Sequence, residues 1–185
     1  MPLIDKFVPF EIHKTIFDID FEKLKKDNRK YIVFDLDNTI IPYHKSKANE
    51  DAKELVNKLK EMGFIVLIMS NNHSKRINLV ANDLDVFSIS NSKKPFKSGY
   101  KKLIKKYNIT DLHDVIAIGD QLVTDCFGAR RNDIDCIFVN AIDQSSEKWY
   151  TRLTRKYETS VIKKFKKKHP ETYKAICEAR GVYYD

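Results

Sequence analysis

The sequence has few cysteines, no long apolar run, and neither an internal repeat nor a low-complexity linker. Its three cysteines are an odd set without CxxC spacing, which argues against disulfides and a zinc site and favours small apolar core residues: Cys126, Cys136 and Cys177. No stretch of about 18 apolar residues occurs, so no transmembrane helix is predicted. The first residues lack the basic-then-apolar order of a secretory signal, and we therefore expect a cytoplasmic protein.

Composition predicts one soluble globular domain with an appended tail. Hydrophobic residues make up 42% and charged residues 32% of the 185 residues, and the mean hydropathy is −0.48. The net charge of +8 is uneven, because the segment 147–168 holds nine basic and two acidic residues, a net +7. The basic character therefore concerns partners or location rather than the catalytic core. We expect an N-terminal arm (1–29), a core (30–143) and a basic, helical tail (144–185).

Short apolar runs alternate with amphipathic stretches along the core. The runs are rich in β-branched residues and predict buried strands over 31–37, 63–72, 86–90, 115–120 and 136–140. The stretches between them predict helices over 48–62, 74–82, 98–107 and 124–132. Strands and helices in alternation predict an α/β fold with a parallel sheet flanked by crossover helices.

Polar residues stand where four of these predicted strands end. Asp35 and Asp37 close the first, Ser70 the second and Asp120 the fourth, and Lys94 follows the third. The carboxyl ends of parallel strands meet at one sheet edge, so these side chains are expected to converge. Two adjacent carboxylates repel each other unless a cation binds, and an oxygen-only site suits Mg²⁺. Carboxylates, ammonium and hydroxyl together indicate phosphoryl transfer.

The order of these motifs is similar to that of the haloacid dehalogenase (HAD) superfamily. FDLDNT (34–39) resembles its DxDxT signature, and GDQLVTD (119–125) resembles its acidic fourth motif. Between them, Ser70 follows an apolar strand and Lys94 precedes Pro95. The resemblance covers roughly residues 30 to 140 and implies a Rossmann-like HAD fold.

The resemblance also implies roles for single residues. Asp35 attacks phosphorus and forms an aspartyl-phosphate, while Asp37 protonates the leaving oxygen and then activates water. An Asp at this second position is usual in the superfamily's phosphatases. Mg²⁺ is implied to bind the carboxylates of Asp35 and Asp120 and the main-chain carbonyl of Asp37. Asn38 and Gly119 are expected to contribute main-chain geometry only.

Further residues are expected around this centre. Ser70 and Lys94 are implied to bind the phosphoryl oxygens, and Asn71 is a candidate for the same role. Thr39 is expected to support the loop, and Asp125 to orient Lys94 or a metal-bound water from the second layer. His44, His73 and His113 lie near these loops and are interpreted as surface residues.

The gaps between motifs leave no room for a cap domain. Residues 40–69 hold one loop, one helix and one strand, and residues 71–93 hold one helix and one strand. An open site suits a phosphate on something large, such as a protein, a nucleic-acid end, a polysaccharide or a lipid headgroup. Oligomerisation, which the sequence leaves undetermined, offers another way to supply a lid.

Within the superfamily, the chain resembles the YqeG group of capless, class IIIA phosphatases. DLDNT, SNN, KP and GDQLVTD occur here in that order, after an arm that ends in FEKLKKDNRK. Mitochondrial relatives of this group are similar to phosphatidylglycerophosphatases. The resemblance therefore implies a phosphatidylglycerophosphate phosphatase of phospholipid biosynthesis, peripheral at the inner face of the membrane.

The tail leaves its partner open. Apolar residues recur at every fourth position and would cover one broad helical face: Trp149, Leu153, Tyr157, Val161 and Phe165. The helix either lies on an anionic membrane, packs on the core with a solvated basic face, or contacts nucleic acid, for which no binding signature is present. Thr159-Ser160 is a candidate break in it. Two alternative functions remain: a phosphatase of a soluble sugar or nucleotide phosphate, and a non-catalytic protein docking on RNA or an assembly.

Overall fold

Six parallel strands form one sheet in the order β1-β6-β5-β2-β3-β4. The computed structural model describes residues 2–145 and 147–184. The strands are β1 (Glu11–His13), β2 (Tyr31–Phe34), β3 (Ile65–Met69), β4 (Phe87–Ile89), β5 (Val115–Gly119) and β6 (Asp135–Val139). The helices are α1 (Phe21–Lys26), α2 (Glu50–Glu61), α3 (Ser74–Asp83), α4 (Ser98–Tyr107), α5 (Gly128–Arg130), α6 (Trp149–Lys168) and α7 (Pro170–Arg180).

Each face of the sheet carries its own apolar core, because side chains alternate along a strand. Ile32 and Phe34 of β2 pack with residues of α1, α2 and α3 on one face. Val33 of β2 packs with residues of α4, α6 and α7 on the other face. The central strands are therefore covered on both sides, as their nearly continuous apolar sequences predict.

The predicted α/β architecture is confirmed, with differences at its margins. The five predicted strands are present, but four of them are shorter, and β6 keeps its predicted length and begins one residue earlier. Strand β1 was not predicted, because it has three residues that are only half-buried. The arm thus adds an edge strand beside β6. The division into arm, core and tail stays a prediction.

The helix predicted over 124–132 differs most from its expectation. The chain is π-helical over Leu122–Phe127 and becomes α-helical only over Gly128–Arg130. Asp125 lies inside this wider turn and is buried. Single π-helical turns often occur at functional sites, and this one carries an acidic residue of the fourth motif.

The tail forms two helices, and only part of α6 packs on the core. Helix α6 continues through Thr159-Ser160 without a break, and the Thr159 hydroxyl donates to the Arg155 carbonyl at 3.1 Å. Val161 and Phe165 are buried, whereas Trp149 and Leu153 are 71% and 53% exposed. The expected apolar face is therefore divided between core and solvent.

The cysteines and the apolar character of the helices can be compared with the predictions made from the sequence. The three cysteines are free and buried, which confirms their interpretation as apolar core residues. Among the described residues, none of the helices combines the length and the apolar character that crossing a bilayer requires.

Candidate active site

The two aspartates of the first motif leave β2 in different directions. The amide of Asp35 still donates to the carbonyl of Ile118 on β5 at 2.8 Å, so Asp35 stays in line with the sheet. The chain then turns sharply, and Asn38 adopts a left-handed conformation with φ of 63°. Asparagine tolerates this conformation better than most residues. The two carboxylates have different partners.

Asp37 is held from the side of β3 and α3. Its carboxylate accepts hydrogen bonds from Asn72 Nδ2 at 2.6 Å and from the Ser70 hydroxyl at 3.3 Å, and it pairs with Arg76. Arg76 also donates to the carbonyls of Pro42 and Lys45, at 3.2 and 2.7 Å. Asp37, the expected acid–base residue, therefore lies beside the loop of residues 42–45, and three donors fix its carboxylate.

Lys94 is the buried cation at the centre of the site. Its Nζ donates to Asp35 Oδ1 and to Asp125 Oδ1, both at 2.7 Å. Burial opposes the ammonium charge, but the two carboxylates outweigh burial and raise the pKa of Lys94 above its ordinary value. The side chain is therefore a permanent cation between Asp35 and Asp125.

Burial is the largest influence on the pKa of Asp35. It raises the pKa of Asp35 well above its ordinary value, against the effect of Lys94 and with that of nearby carboxylates. A divalent cation beside Asp35 would favour its ionised, nucleophilic form.

Gly119 allows Asp125 to reach Lys94. A β-carbon at residue 119 would lie 2.6 Å from the β-carbon of Asp125 and would overlap its carboxyl group. The glycine therefore leaves the volume that the carboxylate fills. Asp125 Oδ2 also accepts from the amide of Gln121 at 3.0 Å, which fixes the orientation of the carboxylate.

Asp120 is completely buried and has partners on both of its oxygens. Thr39 donates to Oδ1 at 3.2 Å, and Arg155 of α6 pairs with Oδ2. Burial raises the pKa of Asp120 to about 6, with Arg155 opposing the shift and Asp125 adding to it. Thr39 thus joins the first motif to the fourth.

Three buried carboxylates are close enough to share one cation. Oxygen atoms of Asp35, Asp120 and Asp125 all lie within 4.8 Å of one another. Oxygen donors of this kind fit a hard divalent ion. The cluster includes Asp125, which the sequence placed in the second layer, and does not include the Asp37 carboxylate. Ligation by the Asp37 carbonyl stays a prediction.

The two neighbouring residues after β3 have different tasks. Ser70 is buried with its hydroxyl directed at Asp37. Asn71 uses its side-chain amide on the loop that carries Lys94: Nδ2 donates to the Lys94 carbonyl at 2.8 Å, and Oδ1 accepts from the Lys94 amide at 2.7 Å. Oδ1 also accepts from the Ser92 hydroxyl. These contacts make Asn71 a support for Lys94, and its expected phosphate contact stays a prediction.

A cavity of about 360 Å³ opens above these residues. Its floor includes Asp35, Asp37 and Lys94, and one wall comes from the tail, through Glu147, Tyr150 and further α6 residues (Thr151 and Thr154). Sequence reasoning did not assign Arg76, Arg155, Glu147 or Glu158 to the site. The spacing of Arg155 and Glu158, one helical turn apart amid lysines, was the available signal.

Comparison with known proteins places this geometry in a family. The family model for haloacid dehalogenase-like hydrolases matches residues 26–133, more than half of the chain. The chain belongs to the haloacid dehalogenase-like hydrolase family. The matched range contains both Asp motifs, Ser70 and Lys94, and the enzyme assignment made from the sequence is thereby confirmed.

Relatives extend this family assignment across most of the chain. The Probable phosphatase YqeG of Bacillus subtilis (strain 168) is 35% identical over 162 residues, which cover 88% of this chain and 93% of that protein. A match of this length spans the core and includes parts of both the arm and the tail.

Two solved structures share the fold. An uncharacterized protein from Listeria monocytogenes serotype 4b has a TM-score of 0.51 and 20% identity, with 64% of this chain and 85% of that chain covered. A hypothetical protein from Xanthomonas campestris has a TM-score of 0.52 and 15% identity, with 76% and 79% covered. These structures share the arrangement of the sheet and its helices.

Proposed function

We propose that this HAD-family enzyme is a Mg²⁺-dependent phosphomonoesterase that works through a phosphorylated Asp35. The observation that carries the proposal is the placement of the Lys94 ammonium, 2.7 Å from both Asp35 and Asp125. A buried cation next to a carboxylate nucleophile can receive the oxygens of an incoming phosphate. The phosphatase that is 35% identical to this chain agrees with the proposal.

The reaction divides into two displacements at phosphorus. An Asp35 oxygen forms a bond to phosphorus as the bond to the leaving alcohol oxygen breaks, and Asp37 gives that oxygen its proton. Asp37, now a carboxylate, takes a proton from water while the water oxygen attacks the aspartyl-phosphate. The bond between phosphorus and Asp35 breaks, and inorganic phosphate leaves.

The remaining residues prepare this chemistry. Lys94 and Ser70 bind phosphoryl oxygens, and Asn71 holds the Lys94 loop. Asp35, Asp120 and Asp125 hold the Mg²⁺, which supplies positive charge against the phosphate. Arg76 keeps Asp37 oriented toward the leaving group, because the other N–H groups of Arg76 are bonded to the backbone carbonyls of the 42–45 loop.

We further propose that the phosphate is presented on an anionic lipid, phosphatidylglycerophosphate. The supporting feature is α6 at the mouth of the cavity, where Trp149, Leu153 and Tyr157 are each more than half exposed. Basic residues of the same helix, among them Arg152 and Lys156, accompany these apolar side chains. Exposed aromatic and basic residues together are typical of helices that lie at the surface of anionic membranes.

A second cavity adds apolar surface next to the site. Its volume is about 760 Å³, and it is formed in part by the first-motif loop through Ile40, Ile41 and Pro42. The exposed side chains of Phe17 and Ile142 also line it, with three lysines (Lys14, Lys45 and Lys47). Apolar walls with adjacent lysines suit the part of a lipid that joins acyl chains to phosphate.

The test is phosphate release from phosphatidylglycerophosphate in mixed vesicles, with and without Mg²⁺, for the unaltered protein and for Asp35→Asn. We expect metal-dependent release that the substitution abolishes. Hydrolysis of an aryl phosphate without hydrolysis of the lipid would contradict the proposed lipid substrate but not the proposed mechanism. Metal-independent release, or release that survives Asp35→Asn, would overturn the mechanism.

A further inference from the structure

The tail reaches the acidic cluster through one side chain, Arg155 of α6. Its Nη1 donates to the main-chain carbonyl of Asp120 at 2.6 Å, and its Nη2 pairs with Asp120 Oδ2. The side chain is only 11% exposed. Arg155 thus contacts both the backbone and the carboxylate of a residue that the proposed function assigns to the metal.

Two further carboxylates fix the guanidinium from behind. Glu147 accepts from Nη2 at 2.7 Å and from Nε at 3.2 Å, and Glu158 accepts from Nη1 at 3.4 Å. Both glutamates are buried and have partners of their own. Asn38 Nδ2 donates to Glu147 at 3.1 Å, and Arg180 donates to Glu158 at 3.3 Å.

These contacts match the donors of the guanidinium. Arginine has five N–H groups, and the acceptors from Asp120, Glu147 and Glu158 account for one at Nε and two at each terminal nitrogen. No donor remains directed into the cavity toward a substrate phosphate. The role of Arg155 therefore lies in what it does to Asp120.

With Thr39 on Oδ1 and Arg155 on Oδ2, the plane of the Asp120 carboxylate is fixed before any ion arrives. Each carboxylate oxygen has two lone pairs, so both contacts are compatible with ligation. Hydrogen bonds to a ligating carboxylate orient it, and their loss typically weakens metal affinity about 10–100-fold.

We propose that Arg155 is a positioning residue of the metal centre, which makes α6 an integral part of that centre. The inference rests on the proposed function, since it takes Asp120 as a metal ligand. It goes beyond that function by giving the tail a task inside the site, in addition to any contact at a membrane. The inference also predicts that metal affinity falls when Arg155 is removed. An arginine that merely occupied the position of the metal ion would compete with it, and its removal would raise the affinity instead.

The test is Mn²⁺ binding to the full chain, followed by the electron paramagnetic resonance signal of free Mn²⁺. Arg155→Gln is expected to raise the Kd about 10–100-fold. Arg180→Gln is the matched control, because Arg180 also pairs with Glu158 but donates its other hydrogen bond to the Tyr184 hydroxyl instead of to Asp120. We expect Arg180→Gln to lower thermal stability while the Kd stays within about twofold of the unaltered protein.

Arg155→Lys covers the case in which the glutamine variant does not fold. Lysine keeps the charge but cannot hold the carbonyl and the carboxylate of Asp120 together, so weaker Mn²⁺ binding is expected again. An unchanged or lower Kd in a folded Arg155 variant would overturn the inference. If the unaltered protein binds no Mn²⁺, the metal part of the proposed function fails instead, and the two failures are thereby distinguished.

Discussion

At the scale of single residues, the two first-motif aspartates are distinguished by their partners. Asp35 contacts the Lys94 ammonium, whereas Asp37 contacts Arg76, Asn72 and Ser70. The family resemblance implies different roles for the two aspartates, and this difference in partners makes the implied roles testable. Removing the Asp37 carboxylate should therefore block the attack of water but spare the phosphorylation of Asp35 when the leaving group needs little protonation.

Asp37→Asn tests this separation with an aryl phosphate, whose leaving group needs little protonation. Asp35 should still become phosphorylated, but the asparagine cannot activate water, so turnover should fall by about 10²–10⁴-fold. Acid-quenched enzyme should contain close to one phosphate per chain, which mass spectrometry detects. Normal turnover, or a variant that never takes up phosphate, would contradict the assigned roles; Asp35→Asn is the control that cannot be labelled.

The pKa of Asp120 predicts how metal binding depends on pH. Because burial raises this pKa to about 6, a proton competes with the ion below that pH, and the carboxylate is ionised above it. Protonation of Asp120 alone should lower the Mn²⁺ affinity by about tenfold for each pH unit below 6. Binding titrations from pH 5 to 8 measure this, and affinity independent of pH over that range would refute it.

The residues found by sequence reasoning and those missed differ in where they lie. Motif order identified Asp35, Asp37, Lys94 and Asp120, because each follows a strand end that the fold brings to one edge. Arg76 and Arg155 lie on helices rather than at strand ends, and the one-turn spacing of Arg155 and Glu158 does not show which side of α6 faces the site. Only the packing of each helix selects the one that faces the site.

At the scale of elements, the apolar residues of α6 are exposed in its first half and buried in its second half. Val161 and Phe165 are buried in the core, while Trp149 and Leu153, on the same four-residue repeat, are exposed. Periodicity predicted the helix and its apolar face but not this division, since it depends on where the core surface ends. Strand β1 was missed for a related reason, because three half-buried residues carry too short a pattern.

The exposed part of α6 contains the only tryptophan of the sequence, which makes it a built-in probe. If α6 lies on anionic membranes, the emission of Trp149 should shift to the blue with phosphatidylglycerol vesicles and not with phosphatidylcholine vesicles. High salt should reverse the shift, because the basic residues provide the attraction. Arg152→Gln with Lys156→Gln should weaken it. An equal shift with both lipids, or none, would speak against the proposed surface.

At the scale of the whole molecule, the acidic cluster joins distant parts of the chain. Asp35 follows β2, Asp120 and Asp125 follow β5, and Arg155 comes from the tail. Like charges placed together in a buried site oppose folding unless cations offset them. A divalent ion that binds only the folded chain should therefore stabilise the entire structure.

Thermal unfolding measures that coupling. At a Mg²⁺ concentration about 100 times its Kd, binding contributes about 2.7 kcal/mol. For a chain of this size, that energy raises the Tm by about 5–10 °C. Asp120→Asn should reduce the shift, when each protein is compared with and without Mg²⁺. An unaltered protein with the same Tm in both conditions would contradict the metal assignment.

The separation of Arg155 from Asp120 along the chain has a consequence for biosynthesis. Arg155 is 35 residues beyond Asp120, whereas Lys94 precedes it. At about 5–20 residues per second, translation therefore adds the arginine roughly 2–7 seconds after the aspartate. During that interval the nascent chain already contains the three clustered carboxylates and Lys94, but not the guanidinium. Until Arg155 has been added, Asp120 lacks its guanidinium partner, so this contact with Asp120 is among the last that the growing chain can form.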